Sequence, residues 1–366
     1  MKCLCIGGAM IDTIAIVDSA RIERMTMTNA DKDFLLIEEG RKVEALEVST
    51  HVGGGAVNAA VSMARQGADV AALIKLGRDP RAETVFNHLM QEGVSTRWVV
   101  RDARAPTGAA VMLSSHDRNA AIFTFRGANT LLETGDLKPE AFTVDLVYIS
   151  ALSNESADAF PEIVHRAKAA NAWVATNPGV RQLASRGGAL QELLKSIDVL
   201  AINASEAGAM VPGLVARVGE GRAKLPFEAG EAPPRLVARG FSSGTHDMSF
   251  ASFFLAMRAL GPRFTVVTDG RHGAYVGTPD AIHFCPGLTA KVAGTAGAGD
   301  AFNSTFCMQL ASGAEPGLAL QAAIVNAGSV VGYVDTQSGL LSAEALAQRR
   351  AENAEALKVT TWRLPA

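Results

Sequence analysis

Short apolar runs alternating with helical patterns constrain this chain more than any other feature. "KCLCIGG", "VAALIKLG", "LVYIS", "WVATN", "VLAIN" and "FTVVTDG" read as short buried strands. Between them lie helices such as "AVNAAVSMARQG" (56–67), with an apolar stripe at Val57, Val61 and Ala64 and a stop at Gly67. "ETVFNHLMQEG" and "AFPEIVHRAKAAN" read the same way. Strands alternating with helices predict a three-layer α/β/α sandwich around a mostly parallel sheet. With 48% hydrophobic and 19% charged residues, a large core is expected rather than disorder. Such sheets bind ligands beyond the carboxyl ends of their strands. Asp12, Ser150, Asn177, Asn203 and Thr268 are expected at or just after those ends.

Two stretches break the rhythm. Residues 32–52 and 107–129 alternate like antiparallel strands with turn residues between them, and predict a small β-sheet lid. The core is then discontinuous, over 1–31, 53–106 and 130–350. Residues 212–245, rich in Gly, Pro, Arg and Glu, read as a surface insertion within it. A net charge of −3 without a basic block argues against nucleic acid as a partner. No apolar stretch approaches the ~18 residues of a membrane span, so a cytoplasmic location is expected. Cys3, Cys5, Cys285 and Cys307 show no CxxC spacing and the histidines show no ligand spacing, so the cysteines are expected as buried small hydrophobes.

The chemistry lies in glycine-rich segments. In "GTAGAGDAFNSTF" (294–306), Phe302, Phe306 and Leu310 recur every four residues after Asp300, and Gly313 ends the helix. A helix N-terminus carries unpaired N–H groups and about half a positive charge, and glycines ahead of it allow close approach, so the segment suits an anion. No Lys follows as a Walker A loop requires, and no GxGxxG follows an early strand. Asp300 caps the helix in one reading. In the other it takes a proton from a hydroxyl attacking phosphorus. "GGGAVNAA" (53–60) is a second anion site or a tight turn, with Asn58 suited to a polyol. Asp12 is a turn former or an acceptor of two sugar hydroxyls. "NASE" (203–206) fits a capping box, and "TDGRHG" (268–273) a glycine turn.

Together and in this order, these segments resemble the ribokinase-like, PfkB family of carbohydrate kinases, from about residue 2 to about residue 340. "GGAMID" resembles the first strand with its substrate aspartate, and "GGGAVNAA" the first signature. "NASE" resembles the NxxE element, "TDGRHG" the TxGxxG nucleotide loop, and "TAGAGDAFNSTF" the second signature. The resemblance implies an ATP-dependent kinase that uses Mg²⁺. It makes Asp300 the general base and the Gly297, Ala298, Gly299 and Asp300 segment the anion hole. Asp12, Gly53, Gly54 and Asn58 would hold the sugar. Asn203 and Glu206 would act on the phosphates and, through water, on Mg²⁺. Thr268, Gly270 and Gly273 would lie by the nucleotide, with Asn326 near the adenine.

One position departs from the pattern. The second signature of the family begins with Asp, and here that position is Gly294. In potassium-activated members the carboxylate helps bind the cation, so weak or no K⁺ dependence is expected. The expected acceptor is a hydroxymethyl group of a simple sugar. A nucleoside would use Phe34, Phe123 or Phe125 as stacking faces, and a sugar acid would use Arg126 or Arg181. A non-catalytic sugar or nucleotide binder is the reading outside enzymes. Lid edges could also pair two copies of the chain.

Overall fold

The computed structural model describes residues 1–18, 23–27, 32–36, 39–40, 42–115, 120–227 and 232–365. The expected core–lid boundary at residue 31 lies outside them, as do residues 37–38, 41 and 116–119 of the lid stretches and 228–231 of the expected insertion.

In chain order the elements begin with β1 (Lys2–Gly7), β2 (Met10–Val17), β3 (Glu23–Met27), β4 (Lys32–Leu36), β5 (Ala45–Gly53), α1 (Gly55–Arg65), β6 (Asp69–Leu76) and α2 (Pro80–Gln91). Next come β7 (Val100–Arg101), β8 (Gly108–Ser115), β9 (Ala120–Phe125), β10 (Leu146–Ile149), α3 (Phe160–Ala169), β11 (Trp173–Thr176), α4 (Val180–Glu192), β12 (Val199–Asn203) and α5 (Ala204–Val218). The chain continues through α6 (Arg235–Arg239), β13 (Phe241–Ser243), β14 (His246–Met248), α7 (Phe250–Leu260), β15 (Phe264–Thr268), β16 (Ala274–Gly277) and β17 (Ala281–Cys285). It ends with α8 (Ala298–Ala311), α9 (Pro316–Val330), α10 (Ala343–Glu352) and β18 (Thr360–Arg363).

The main sheet runs β18-β17-β16-β15-β12-β11-β10-β1-β6-β7. It is parallel from β7 to β15 and antiparallel from β15 to β18. Strand alternation explains the two cores. On β1, Cys3 and Cys5 point into one apolar cluster with α1, α8 and α9, while Leu4 and Ile6 point into the other with α3, α5 and α7. All four cysteines are buried free thiols within this packing. The architecture is the α/β/α sandwich that the alternation predicted.

A second sheet, β5-β2-β8-β9, stands over one end of the first. It is the expected lid with an unexpected member, because β2 lies in the stretch assigned to the core. β1 stops at Gly7, and after two residues the chain enters the other sheet. Asp12 is therefore not at the end of the first strand. It lies within β2, opposite His51 of β5 and Ala110 of β8. The Asn129 side chain brackets the base of this sheet, donating to Ala9 O at 2.8 Å and accepting from Ala9 N at 2.9 Å.

The stretch 212–245, expected as a surface insertion, contributes to the core as well. Its first residues complete α5, and Leu225, Leu236 and Phe241 are buried in the core. The β13–β14 hairpin packs on α5. Apolar residues spaced among glycines and prolines carry no periodicity, so this burial left no pattern in the sequence.

Candidate active site

The site forms where parallel strands end and the second sheet overhangs. Its centre is the start of α8. Gly297 holds a left-handed φ of 78°, and a Cβ there would lie 2.6 Å from the Thr336 Cβ, so a side chain is excluded twice over. Ala301 N donates to Gly297 O at 2.9 Å as the first intrahelical bond. The N–H groups of Ala298, Gly299 and Asp300 therefore have no partner inside the helix. Gly299 has open space around it. The positive end of the helix dipole thus lies at a turn where glycine leaves the backbone N–H groups open to a close-approaching anion.

Asp300 sits in the same turn, and its Oδ2 accepts from Asn58 Nδ2 at 2.8 Å. Burial pushes its carboxyl up, and the Asn58 amide works against that shift. Gly55 stands beside it, where a Cβ would come 3.4 Å from Asp300 Oδ1 and 2.9 Å from the Ser150 Cβ. Asn58 is buried in α1. Its Oδ1 accepts from Thr336 Oγ1 and Gln337 Nε2, both at 2.9 Å.

Asp12 approaches from the lid. Its carboxyl lies against Gly53, where a Cβ would meet Asp12 Oδ2 at 2.1 Å. Burial pushes Asp12 up to about 6; His51 lowers it and the Asp300 charge raises it further. The Asp12 carboxyl thus feels the charge of Asp300. Gly54 holds φ 102°, and a Cβ there would strike Gly8 O at 2.6 Å. That close approach seats α1, whose Ala56 N donates to Gly8 O.

A second group lies at neighbouring strand ends. Asn203 of β12 pairs in register with Thr268 of β15. Asn203 Oδ1 accepts from Glu206 N and Glu206 Oε2 accepts from Asn203 N, both at 2.9 Å. The capping box read from "NASE" is formed, and it holds the acid in place. Burial pushes Glu206 up to about 6, against hydrogen bonds from Asn203 and Asn177. Gly270 and Gly273 have φ values of 55° and 112°, and Asp269 N donates to Gly273 O at 2.9 Å, closing a tight turn.

Among the described residues no group of three or more His, Cys, Asp or Glu could hold a metal ion alone. The lone buried Glu206 fits Mg²⁺ that is held mainly by phosphates and water. At the start of the α8 motif, a Cβ on Gly294 would lie 2.9 Å from Tyr333 O and 3.2 Å from Val334 O. Asp335, the acid nearest in sequence to those carbonyls, accepts instead from Gln337 N and Ser338 N. A cavity of about 640 Å³ opens beside Gly294, between Ile16 and Ser114 of the lid and the 290–293 and 332–334 loops.

Asn326 does not join the site. It is fully buried, donating to Thr305 Oγ1 at 2.8 Å and Ser62 Oγ at 3.2 Å and accepting from Leu341 N at 3.0 Å. These bonds tie α9 to α8 and α1, so the side chain is core, not an adenine contact. Phe123 and Phe125 pair with Val111 and Ala109, on the lid face opposite to Asp12. Arg126 donates to Ser153 Oγ at 2.8 Å and has no carboxylate partner among the described residues. Burial and the nearby Arg181 charge push it down. Thr336, Gln337 and His51 were missed by the sequence reading. They belong to no glycine motif, and only the fold brings them to Asn58 and Asp12.

The profile of the pfkB family carbohydrate kinases matches residues 2–214 and 252–343. Over 290 residues the chain is 25% identical to a bifunctional ribokinase/ribose-5-phosphate isomerase A from Fructilactobacillus sanfranciscensis. That match covers 77% of this chain and 47% of the relative, so it spans about half of the relative's length. In fold, the chain is similar to the ribokinase of Thermotoga maritima, with a TM-score of 0.69, 20% identity and 96% and 99% of the two chains covered. It is also similar to a nucleoside kinase of Methanocaldococcus jannaschii, with a TM-score of 0.71, 18% identity and 96% and 98% covered.

Proposed function

The chain belongs to the pfkB family of carbohydrate kinases, and from that premise we propose that it moves the γ-phosphoryl of ATP to a hydroxymethyl group of a sugar. The observation that carries this reading is the Asp300 carboxylate in the same turn as three unpaired N–H groups, oriented by Asn58. Asp300 takes the proton of the acceptor hydroxyl as its oxygen bonds to the γ-phosphorus. The bond from that phosphorus to the β–γ bridging oxygen breaks, and ADP leaves with the electron pair. The N–H groups of Ala298, Gly299 and Asp300 stabilise the charge on the transferring group. A carboxylate pushed above its ordinary range is a better base at neutral pH than a free aspartate.

Asp12 and the backbone around Gly53 and Gly54 hold and orient sugar hydroxyls. The lid above them excludes water, so that ATP is not hydrolysed. Asn203, Glu206, Thr268, Gly270 and Gly273 form the nucleotide end. There Mg²⁺, held through water at Glu206, would supply charge neutralisation to the phosphates. We propose weak or no K⁺ dependence, because Gly294 stands where the family pattern has Asp and the nearby Asp335 is engaged by Gln337 N and Ser338 N.

A sugar acid is the second reading, favoured by the half-buried Arg126 with no carboxylate partner and Arg181 close by. Of the stacking faces expected for a nucleoside, Phe123 and Phe125 point away from Asp12, and the exposed Phe34 lies in β4, which pairs with β3 rather than with the lid sheet. The Phe123 and Phe125 rings join Val48 and Val111 in an exposed apolar face, which supports a second copy of the chain docking on the lid. Among the described residues no helix is long and apolar enough to cross a membrane.

The test incubates the protein with ATP, Mg²⁺ and a panel of sugars, sugar acids and nucleosides. Acceptor-dependent ADP release that is lost in Asp300→Asn is the expected result. Tight binding of a panel member without turnover would favour the non-catalytic reading.

A further inference from the structure

We propose that Gln337, together with Thr336, is the positioning residue that locks the Asn58 amide with its N–H on Asp300. An asparagine amide is nearly symmetric, so something must decide which end faces the carboxylate. The decision starts at Val52 O, a main-chain carbonyl that can only accept. Gln337 Nε2 donates to it at 3.0 Å. The same nitrogen donates to Asn58 Oδ1 at 2.9 Å. Thr336 Oγ1 gives Oδ1 a second hydrogen bond. With Oδ1 held by two donors, Nδ2 is left for Asp300.

Gln337 is itself held on every side. Its Oε1 lies 2.6 Å from His88 Nε2, which must donate because the oxygen only accepts. Its main-chain N–H donates to Asp335, and its carbonyl accepts from Arg65, which is bound to Glu92 through two further nitrogens. The side chain is buried; it bears on Asp300 through Asn58, and its other side-chain contacts are Val52 O and His88 Nε2. A flipped Asn58 would turn its oxygen toward the carboxylate, removing a donor and adding repulsion. Asp300 would then hold its proton to higher pH. The ionisable groups that feel the charge of Asp300 are the Asp12 carboxyl of β2 and the Tyr148 phenol of β10.

The inference rests on the kinase reading for its kinetic test, and a second readout is independent of it. In Gln337→Met both donors go and no charge is introduced. The acid limb of kcat, where a general base loses activity as it protonates, should move up by about one pH unit, with a near-normal alkaline plateau and unchanged KM for ATP. Thr336→Val should move it the same way by less, and Thr336→Ser should not move it. In the substrate-free protein, the ¹³C carboxyl resonance of Asp300, assigned with Asp300→Asn, should titrate higher in Gln337→Met and Thr336→Val. An unmoved Asp300 titration in both variants overturns the proposal, as does a kcat lowered by one factor at every pH. Wild-type protein that turns over no acceptor defeats the kinase reading alone, because the carboxyl titration still tests the positioning.

Discussion

Asn58 and Asp300 stand 242 residues apart in the chain, yet the amide nitrogen of one lies 2.8 Å from the carboxylate of the other. This bond joins the first turns of α1 and α8. Asp300→Asn keeps the shape and the acceptor for Asn58 while removing the base. It should lower kcat by about 10²–10⁴-fold with little change in KM for ATP. Steady-state ADP release checks it; a loss below tenfold would leave Asp300 as a helix cap.

Asp12 gives a stability prediction with a definite sign. A carboxyl pushed from 3.8 to about 6 binds its proton more tightly in the folded state. Stability therefore falls as pH rises from about 4 to about 6 and stays lowered above that. The ionised, buried group costs on the order of 1–3 kcal/mol at neutral pH. Asp12→Asn should raise Tm at pH 8 and leave it unchanged at pH 4, while weakening acceptor binding. Thermal melts at the two pH values test this, and equal shifts at both would remove burial of charge as the cause.

What the sequence made legible was local. The glycine turn before α8, the capping box of Asn203 and Glu206, and the Gly270–Gly273 turn depend on spacings within a few residues, and each is formed. The Met10–Val17 strand was misplaced because Gly8 and Ala9 give no sign that the chain changes sheets. Asn326 was misplaced because one polar residue on an apolar helix looks the same whether it faces a cleft or a core. Gln337 and Thr336 left no trace, since their role depends on where the loop after α9 returns.

The burial of Asn326 separates a packing role from an adenine contact. Asn326→Ala leaves Leu341 N without its partner and opens a space in the core, while the Ser62 and Thr305 hydroxyls keep Ser304 and Gln66. It should destabilise by about 2–4 kcal/mol, while KM for ATP stays within about twofold. Denaturant melts and ATP kinetics on the same preparation decide it. A many-fold rise in KM with normal stability would return Asn326 to the nucleotide site.

Arg126 decides between the two acceptor classes. Its guanidinium is half-buried near a second arginine, and its hydrogen bond goes to the neutral Ser153 hydroxyl. Arg181 itself is exposed, but partly burying the Arg126 guanidinium beside a second positive charge is unfavourable unless an anion completes the site. Arg126→Gln keeps a donor and removes the charge. With a sugar acid, kcat/KM should fall by about 10–100-fold, the size of a charge-assisted hydrogen bond. With a neutral sugar the change should stay within about threefold, and added salt should weaken wild-type binding of the acid but not of the neutral sugar. Equal losses for both acceptors would make Arg126 a brace between the lid and the Ser153 loop rather than a reader of charge.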